Sequence, residues 1–289
     1  MEELASHFKG YMESLGKSRH TIKQYGIDTE QFLRFMQDHH LSFDDHLHNI
    51  VGTYNSYLEE VYSSAASINR KRASLLQLLT FLEQRKIVSG IPVRLLKPTR
   101  LDSKPIQTLT IEQLKKVTNY WFEVYQTALN TENRWIALRN FCLVNMLLEL
   151  GLKPSEITAL KWSSIKGREV TIVQNKKSRK LLLSQIIYNW LELFRYETAE
   201  LLPLSNKGEF VWLGLGNKQN APITVKTVER IFQSMSQQLG FKITATVIRY
   251  TLIEHEVKNN QEVQLSELYK RYGYSRKSVL LERVSRFNY

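Results

Sequence analysis

The sequence has one cysteine, seven histidines of which only His255 lies beyond residue 48, and no apolar run of membrane-spanning length. Its single cysteine, Cys142, sits in the apolar run from Phe141 to Leu148 and reads as a core residue. No disulfide is available within one chain, so a reducing, cytoplasmic setting is expected. No stretch approaches the ~18 apolar residues of a transmembrane helix. The first twenty residues are charged and amphipathic, with neither the apolar core nor the small-residue cleavage site of a secretion signal. Internal repeats and low-complexity segments are absent as well. Acidic residues are in short supply: 28 Asp and Glu stand against 40 Lys and Arg, a net charge of +12.

That imbalance is unevenly spread. Residues 1–100 carry 13 Lys and Arg against 11 Asp and Glu, whereas residues 101–289 carry 27 against 17. Excess cationic charge favours a polyanionic partner, because Lys and Arg that neutralise phosphates release condensed counterions. Nucleic acid is the first reading; a basic protein that is merely soluble, or one that touches anionic lipid, is the other.

With 289 residues the chain is long enough for two domains. Apolar residues recur at helical spacing in four runs over 1–90. Leu4, Phe8, Tyr11, Met12 and Leu15 make the first. Ser18 caps a second, with Ile22, Tyr25, Phe32, Leu33 and Phe35. Asp44 or Asp45 starts a third, through Ile50, Val51, Tyr54, Tyr57 and Leu58. Ser67 caps a fourth, with Ile68, Leu75, Leu78, Leu79, Phe81 and Leu82. Such a pattern predicts a compact helical bundle. Residues 91–108 hold Pro92, Pro98 and Pro105 among Arg94, Lys97, Arg100 and Lys104, a basic extended linker. Helical spacing resumes at Thr110, an N-cap. A longer helix over about Arg134–Leu150 ends at Gly151, and a short one follows Pro154. Two strands are expected at Glu169–Val173 and Lys180–Ser184, joined by a basic turn from Gln174 to Arg179. Beyond them come a helix over Gln185–Glu200, a short strand at Phe210–Leu213, a helix over Thr224–Leu239, and short helices from Thr246 onward. The five tryptophans fall on apolar stripes and read as core. The fold class is therefore mainly α with one small hairpin: a helical domain over 1–90, a linker over 91–108 and a larger domain over 109–289.

Several segments, in this order, resemble the tyrosine recombinase (phage integrase) family. Ser18 to Tyr25, with Phe32 and Phe35 after it, is similar to the opening of that family's SAM-like core-binding module. Ser67-Ile68-Asn69-Arg70-Lys71-Arg72 is similar to the start of the module's DNA-facing helix. Leu109-Thr110-Ile111-Glu112-Gln113-Leu114 resembles the entry to the catalytic domain. Gly151 to Ile157, followed by Leu160-Lys161-Trp162, resembles the box that carries the first catalytic arginine, and Ile248-Arg249-Tyr250-Thr251 the box that carries the second. The resemblance implies a two-domain clamp on duplex DNA, with the linker crossing between the domains.

It also implies a chemistry whose parts can be checked. Strand cleavage in this family needs a tyrosine nucleophile, two arginines on the phosphoryl oxygens, a hairpin lysine, and histidines or similar groups to move protons. Here the first arginine position holds Lys153, which keeps the charge but not the bidentate fork. The hairpin turn supplies Lys176 and Lys177, and the second arginine survives as Arg249. The two histidine positions of that box hold Thr246 and Tyr250, and Gly273-Tyr274-Ser275 puts Tyr274 where the family has histidine or tryptophan. The nucleophile position falls near Arg283; Tyr272, Tyr274 or Tyr289 would have to act as a displaced nucleophile. The expectation is a scaffold that no longer cuts, like the integrase-like lysogeny repressors of some phages.

The expected partner is double-stranded DNA, with no cofactor, no metal and no membrane. The residues expected to meet it are Lys17, Arg19 and Lys23, Arg70, Lys71 and Arg72, Lys153, Lys176, Lys177 and Arg179, Lys226 and Arg230, Arg249, and Arg276 and Lys277. For Lys17, Arg19, Lys23, Lys226 and Arg230 a plain solvated helix face is the competing reading. Arg249, Lys153 and the Lys176/Lys177 turn are expected to form a phosphate-binding basin. The functional expectation is a sequence-specific repressor, with a homodimer on DNA and a regulatory protein or peptide as further partners. An active divergent recombinase and a non-cutting recombinase accessory are the alternatives.

Overall fold

A computed structural model of the chain describes residues 2–99, 105–174, 177–202, 209–215, 221–259 and 265–287. Lys176 and Tyr289 lie outside the described residues. The chain divides into two compact units, Met1–Ser103 and Lys104–Tyr289. No helix among the described residues is long and apolar enough to cross a membrane.

The first unit is the expected bundle: α1 (Glu2–Ser14), α2 (Arg19–Asp38), α3 (Leu47–Val61) and α4 (Ala65–Gln84). Ser18 caps α2 by accepting a hydrogen bond from the Thr21 amide at 3.1 Å. The other two expected caps shift. Asp45 instead accepts from the Ser42 amide at 2.7 Å, closing a turn that leaves His46 to start α3. Ser64 rather than Ser67 caps α4, since the Ser67 amide is the one that Ser64 satisfies. Phe8, Met12, Phe32, Tyr54, Leu58, Leu78 and Leu82 fill the core, with the Phe32 and Tyr54 rings meeting edge to face at 4.9 Å.

Lys71 and Arg72, expected on a DNA-facing surface, are instead buried in this bundle. Ion pairs explain why they can be. Lys71 lies 3.1 Å from the buried Asp28 carboxylate, hydrogen-bonds to Gln31 and sits 4.7 Å from the Tyr62 ring centroid. Arg70 completes the group by pairing with the same Asp28 while keeping one edge in solvent. Arg72 spreads its donors over Asn55 at 2.9 Å, Thr99 at 2.7 Å and Glu59 at 2.8 Å.

The start of the expected linker belongs to this bundle too. Ile91, Leu95 and Leu96 pack on its core. The Asn69 side chain exchanges two hydrogen bonds with the Thr99 backbone, at 2.8 and 2.9 Å, and Asn55 donates to the Leu95 carbonyl at 2.8 Å. At the far end, the Ile106 amide donates to Arg286 at 2.9 Å, which ties that residue to the second unit.

The second unit is built round α6 (Thr131–Leu150), which is buried along most of its length and packs on α5 (Ile111–Thr127) and α8 (Gln185–Leu201). Asn130 caps α6, which begins three residues before the expected start at Arg134. Thr110 caps α5 in a reciprocal box with Gln113. A short α7 (Pro154–Thr158) leads to β1 (Ile165–Lys166), β2 (Glu169–Gln174) and β3 (Lys177–Leu182), an antiparallel sheet in that order. β1 was not foreseen. β3 begins three residues earlier than expected, because Gln174 pairs with Lys177 and draws Lys177, Ser178 and Arg179 into the ladder. Ser184, expected at the end of that strand, caps α8. Phe210 and Leu213 form isolated bridges rather than a strand. Then come α9 (Val225–Leu239), α10 (Ala245–Asn259), α11 (Leu265–Arg271) and α12 (Lys277–Val284). α10 is a full fifteen-residue helix where short ones were expected. Trp135 and Trp212 are fully buried, and Trp121, Trp162 and Trp190 pack against the same core.

The Asp28 group generates a stability prediction. Asp28→Ala leaves Lys71 buried without its carboxylate and should cost roughly 3–5 kcal/mol, read as a lowered urea midpoint. An unchanged midpoint would contradict the assignment of Lys71 to the interior.

Candidate functional site

The hairpin register decides which of its side chains face inward. Val170 pairs with Leu181, Ile172 with Arg179 and Gln174 with Lys177. Alternation puts these pairs on one face, and Val170, Ile172 and Leu181 are buried there. Arg179 therefore projects from a core-facing position and meets Glu156 of α7 in a two-pronged ion pair at 3.0 and 2.7 Å. Glu156 also accepts from the Lys153 amide at 2.9 Å, which fixes the first turn of α7. Burial alone would raise the Glu156 carboxyl, but the Arg179 fork, the Lys153 amide and the charges of Arg179 and Lys153 together hold it below the ordinary carboxylate range.

Lys153 reaches the other way. Its ammonium donates to the Gln174 side chain at 2.8 Å and to the Gly273 carbonyl at 2.7 Å. Burial lowers its pKa, and the nearby Arg249 and Arg179 charges act in the same direction, while Glu156 opposes them. Arg249, from α10, is buried and donates to the carbonyls of Gly151 and Tyr272. Its guanidinium carbon also lies 5.3 Å from the Tyr272 ring centroid and 4.9 Å from that of Tyr274.

Two glycines make this close packing sterically open. Gly151 ends α6 with φ +57, and a Cβ there would lie 2.4 Å from the Tyr272 ring. Gly273 has φ +61, and a Cβ there would lie 2.6 Å from the Arg179 guanidinium. Both positions need the left-handed backbone and the missing side chain at once.

Beside this network lies a cavity of about 760 Å³, lined by Lys153, Gln174, Lys177, Ser178, Arg179, Tyr269, Lys270, Gly273, Tyr274 and Ser275. Of the basin expected from the sequence, it brings together Lys153 and Lys177, with Arg179 of the same hairpin beside them; Lys176 lies outside the described residues. Arg249 is not on its wall. The guanidinium donates to two backbone carbonyls, a placement that residue type alone does not reveal. Gln174, Tyr269 and Ser275 are cavity residues that sequence reading passed over. The inward register of β2 would have singled out Gln174; nothing in the local pattern distinguishes Tyr269.

The remaining expected contacts are spread out. Lys17, Arg19 and Lys23 are exposed at and near the start of α2, Lys226 and Arg230 on α9, and Arg276 and Lys277 at the start of α12. Arg283, at the expected nucleophile position, pairs with Glu282 at 3.6 Å. Tyr272 is buried, and that burial, with Glu256 beside it, raises its phenol pKa. Tyr274 is raised too, chiefly by burial, while the charge and hydrogen bond of Arg249 pull it back. Among the described residues no group of three or more His, Cys, Asp and Glu is arranged to hold a metal ion.

Comparison with known proteins places this architecture. The phage integrase N-terminal SAM-like domain matches residues 5–86, and the phage integrase family matches residues 121–280. The chain belongs to the phage integrase, or tyrosine recombinase, family. This family member is 26% identical over 272 residues to the tyrosine recombinase XerC of Pediococcus pentosaceus, covering 91% of this chain and 87% of that one. Its fold is similar to that of the XerH site-specific recombinase bound to a palindromic difH substrate (TM-score 0.70, 15% identity, 91% of this chain and 76% of that one). It is also similar to a lambda integrase tetramer bound to a Holliday junction (TM-score 0.67, 14% identity, 100% and 78%). The two-domain, mainly helical fold with one small antiparallel sheet is that of the family.

The Glu156 pair gives a pH prediction with a definite sign. Its folded-state pKa lies below the ordinary 4.5, so the pair stabilises fully above that value and less as pH falls through the folded pKa. Glu156→Gln should lower stability at pH 7 by about 3 kcal/mol and flatten the acid limb of the melting-temperature profile. A variant whose acid limb superimposes on that of the parent chain would contradict this.

Proposed function

We propose that this family member binds duplex DNA sequence-specifically without cutting it, and acts as a transcriptional repressor of phage or mobile-element origin in the cytoplasm. The observation that carries the reading is the state of Arg249. The surviving arginine of the family's cleavage set is buried, is not among the residues that line the cavity, and donates to the Gly151 and Tyr272 carbonyls. The residues around it point the same way: Lys153 replaces an arginine, Thr246 and Tyr250 replace histidines, and Arg283 stands near the nucleophile position. On this reading one of the two guanidinium forks and the near-neutral proton donors are missing from the positions that would stabilise a pentavalent phosphorus.

Binding rests on what is exposed. Lys17, Arg19, Lys23, Lys177, Lys226, Arg230, Arg276 and Lys277 all face solvent, on a chain of net charge +12. The solved relatives named above are recombinases captured on DNA, and the same fold here supplies a duplex-binding scaffold. Held over a promoter, such a protein blocks polymerase with no chemistry of its own. A homodimer on repeated or inverted sites, and control by a protein or peptide, fit that role.

The test starts with selection of bound fragments from the source genome and treatment of each complex with detergent. Promoter fragments released by detergent are expected. A tyrosine-linked adduct that survives detergent would show an active recombinase instead, and recovery of attachment-type sites without adducts would favour a recombinase accessory. On a recovered fragment, Lys226→Ala with Arg230→Ala should reduce the slope of log K against log salt by about 1.8, at ~0.9 per phosphate contact. An unchanged slope would remove α9 from the interface.

A further inference from the structure

We infer that the cavity beside α7 and the hairpin is an effector site for a small organic phosphate with a planar ring, of which a nucleoside phosphate is the fitting class. The inference rests on the non-cutting reading above, since a cavity that performs strand cleavage is not free for another ligand.

Three observations support it. The volume, about 760 Å³, lies within the ~300–1,000 Å³ of small-molecule sites. Lys177 and Lys270 stand exposed on the cavity wall, with no ion pair among the described residues. The neighbouring carboxylate, Glu156, is already closed off by the Arg179 fork, so the wall presents a net positive face. Tyr269 and Tyr274 supply aromatic surface, and Ser178 and Ser275 supply hydroxyls.

The charge pattern favours a terminal phosphate over a backbone one. A phosphate monoester carries close to two negative charges and three acceptor oxygens, and Lys177, Lys270 and the Ser178 and Ser275 hydroxyls offer donors from separate side chains. A backbone diester brings one charge, and its bases are stacked within the duplex. A ring attached to the phosphate has tyrosine surface to pack on. Occupancy would place negative charge on a face that otherwise attracts DNA, and so would weaken DNA binding.

The experiment uses the full chain, with ADP as probe and adenosine and potassium chloride at matched ionic strength as controls, read by calorimetry and thermal melting. ADP should bind saturably, raise Tm and release a recovered promoter fragment, while adenosine does none of these. Lys177→Ala with Lys270→Ala should weaken ADP binding at least about tenfold, as loss of a charged hydrogen bond does, with the ligand-free Tm unchanged. ADP binding no stronger than the salt control, or unaffected by the double substitution, overturns the inference. If ADP fails but the double substitution weakens duplex binding, the cavity seats backbone phosphate: the effector site falls and the DNA-binding reading stands. If ADP binds but the chain forms tyrosine-linked adducts with DNA, the non-cutting reading falls instead.

Discussion

The second unit depends on one buried cation. Arg249 joins the end of α6 to the segment before Gly273 by donating to the carbonyls of Gly151 and Tyr272. Two helix ends that have no covalent reason to meet are thereby held together. A buried guanidinium is tolerated only when its donors are used, so the two carbonyls and the Tyr272 and Tyr274 rings are requirements of the charge, not decoration. Gly151 and Gly273 follow from it, one admitting the Tyr272 ring and the other the Arg179 guanidinium. Lys153 reinforces the same junction from the opposite side through Gly273 and Gln174.

A consistent economy of charge runs through both units. In the first, Asp28 holds Arg70 and Lys71, and Arg72 is shared among Asn55, Glu59 and Thr99. In the second, Glu156 holds Arg179. Cations that read as a binding surface in the sequence are thus partly structural. Other cations expected at that surface, among them those on α2, α9, α12 and the hairpin, stay exposed. Guanidinium forks serve the fold here: Arg249 donates to two backbone carbonyls and Arg179 holds Glu156.

Much of this was legible in advance. Periodicity gave the four-helix bundle, Ser18 and Thr110 announced their helices, and Gly151 marked the end of α6, because capping chemistry and apolar spacing are local properties. The order of short motifs gave the family. What escaped was whatever depends on partners distant in sequence. Lys71 and Arg72 follow Arg70 in an ordinary basic run, and only Asp28, some forty residues earlier, turns Lys71 inward. Arg249 looks the same in sequence whether it faces a phosphate or a carbonyl. The β3 boundary moved because pairing with β2, not composition, decides where a strand begins.

The measurement that tests the account most directly is a comparison of the parent chain with Arg249→Lys by urea unfolding and by binding to one recovered DNA fragment. Lysine keeps the charge but cannot span both carbonyls. The account predicts a clearly lowered unfolding midpoint, with the folded fraction still binding DNA at nearly the parent affinity. An unchanged midpoint with a large loss of affinity would contradict it, and would mean that this guanidinium grips DNA rather than the protein's own backbone.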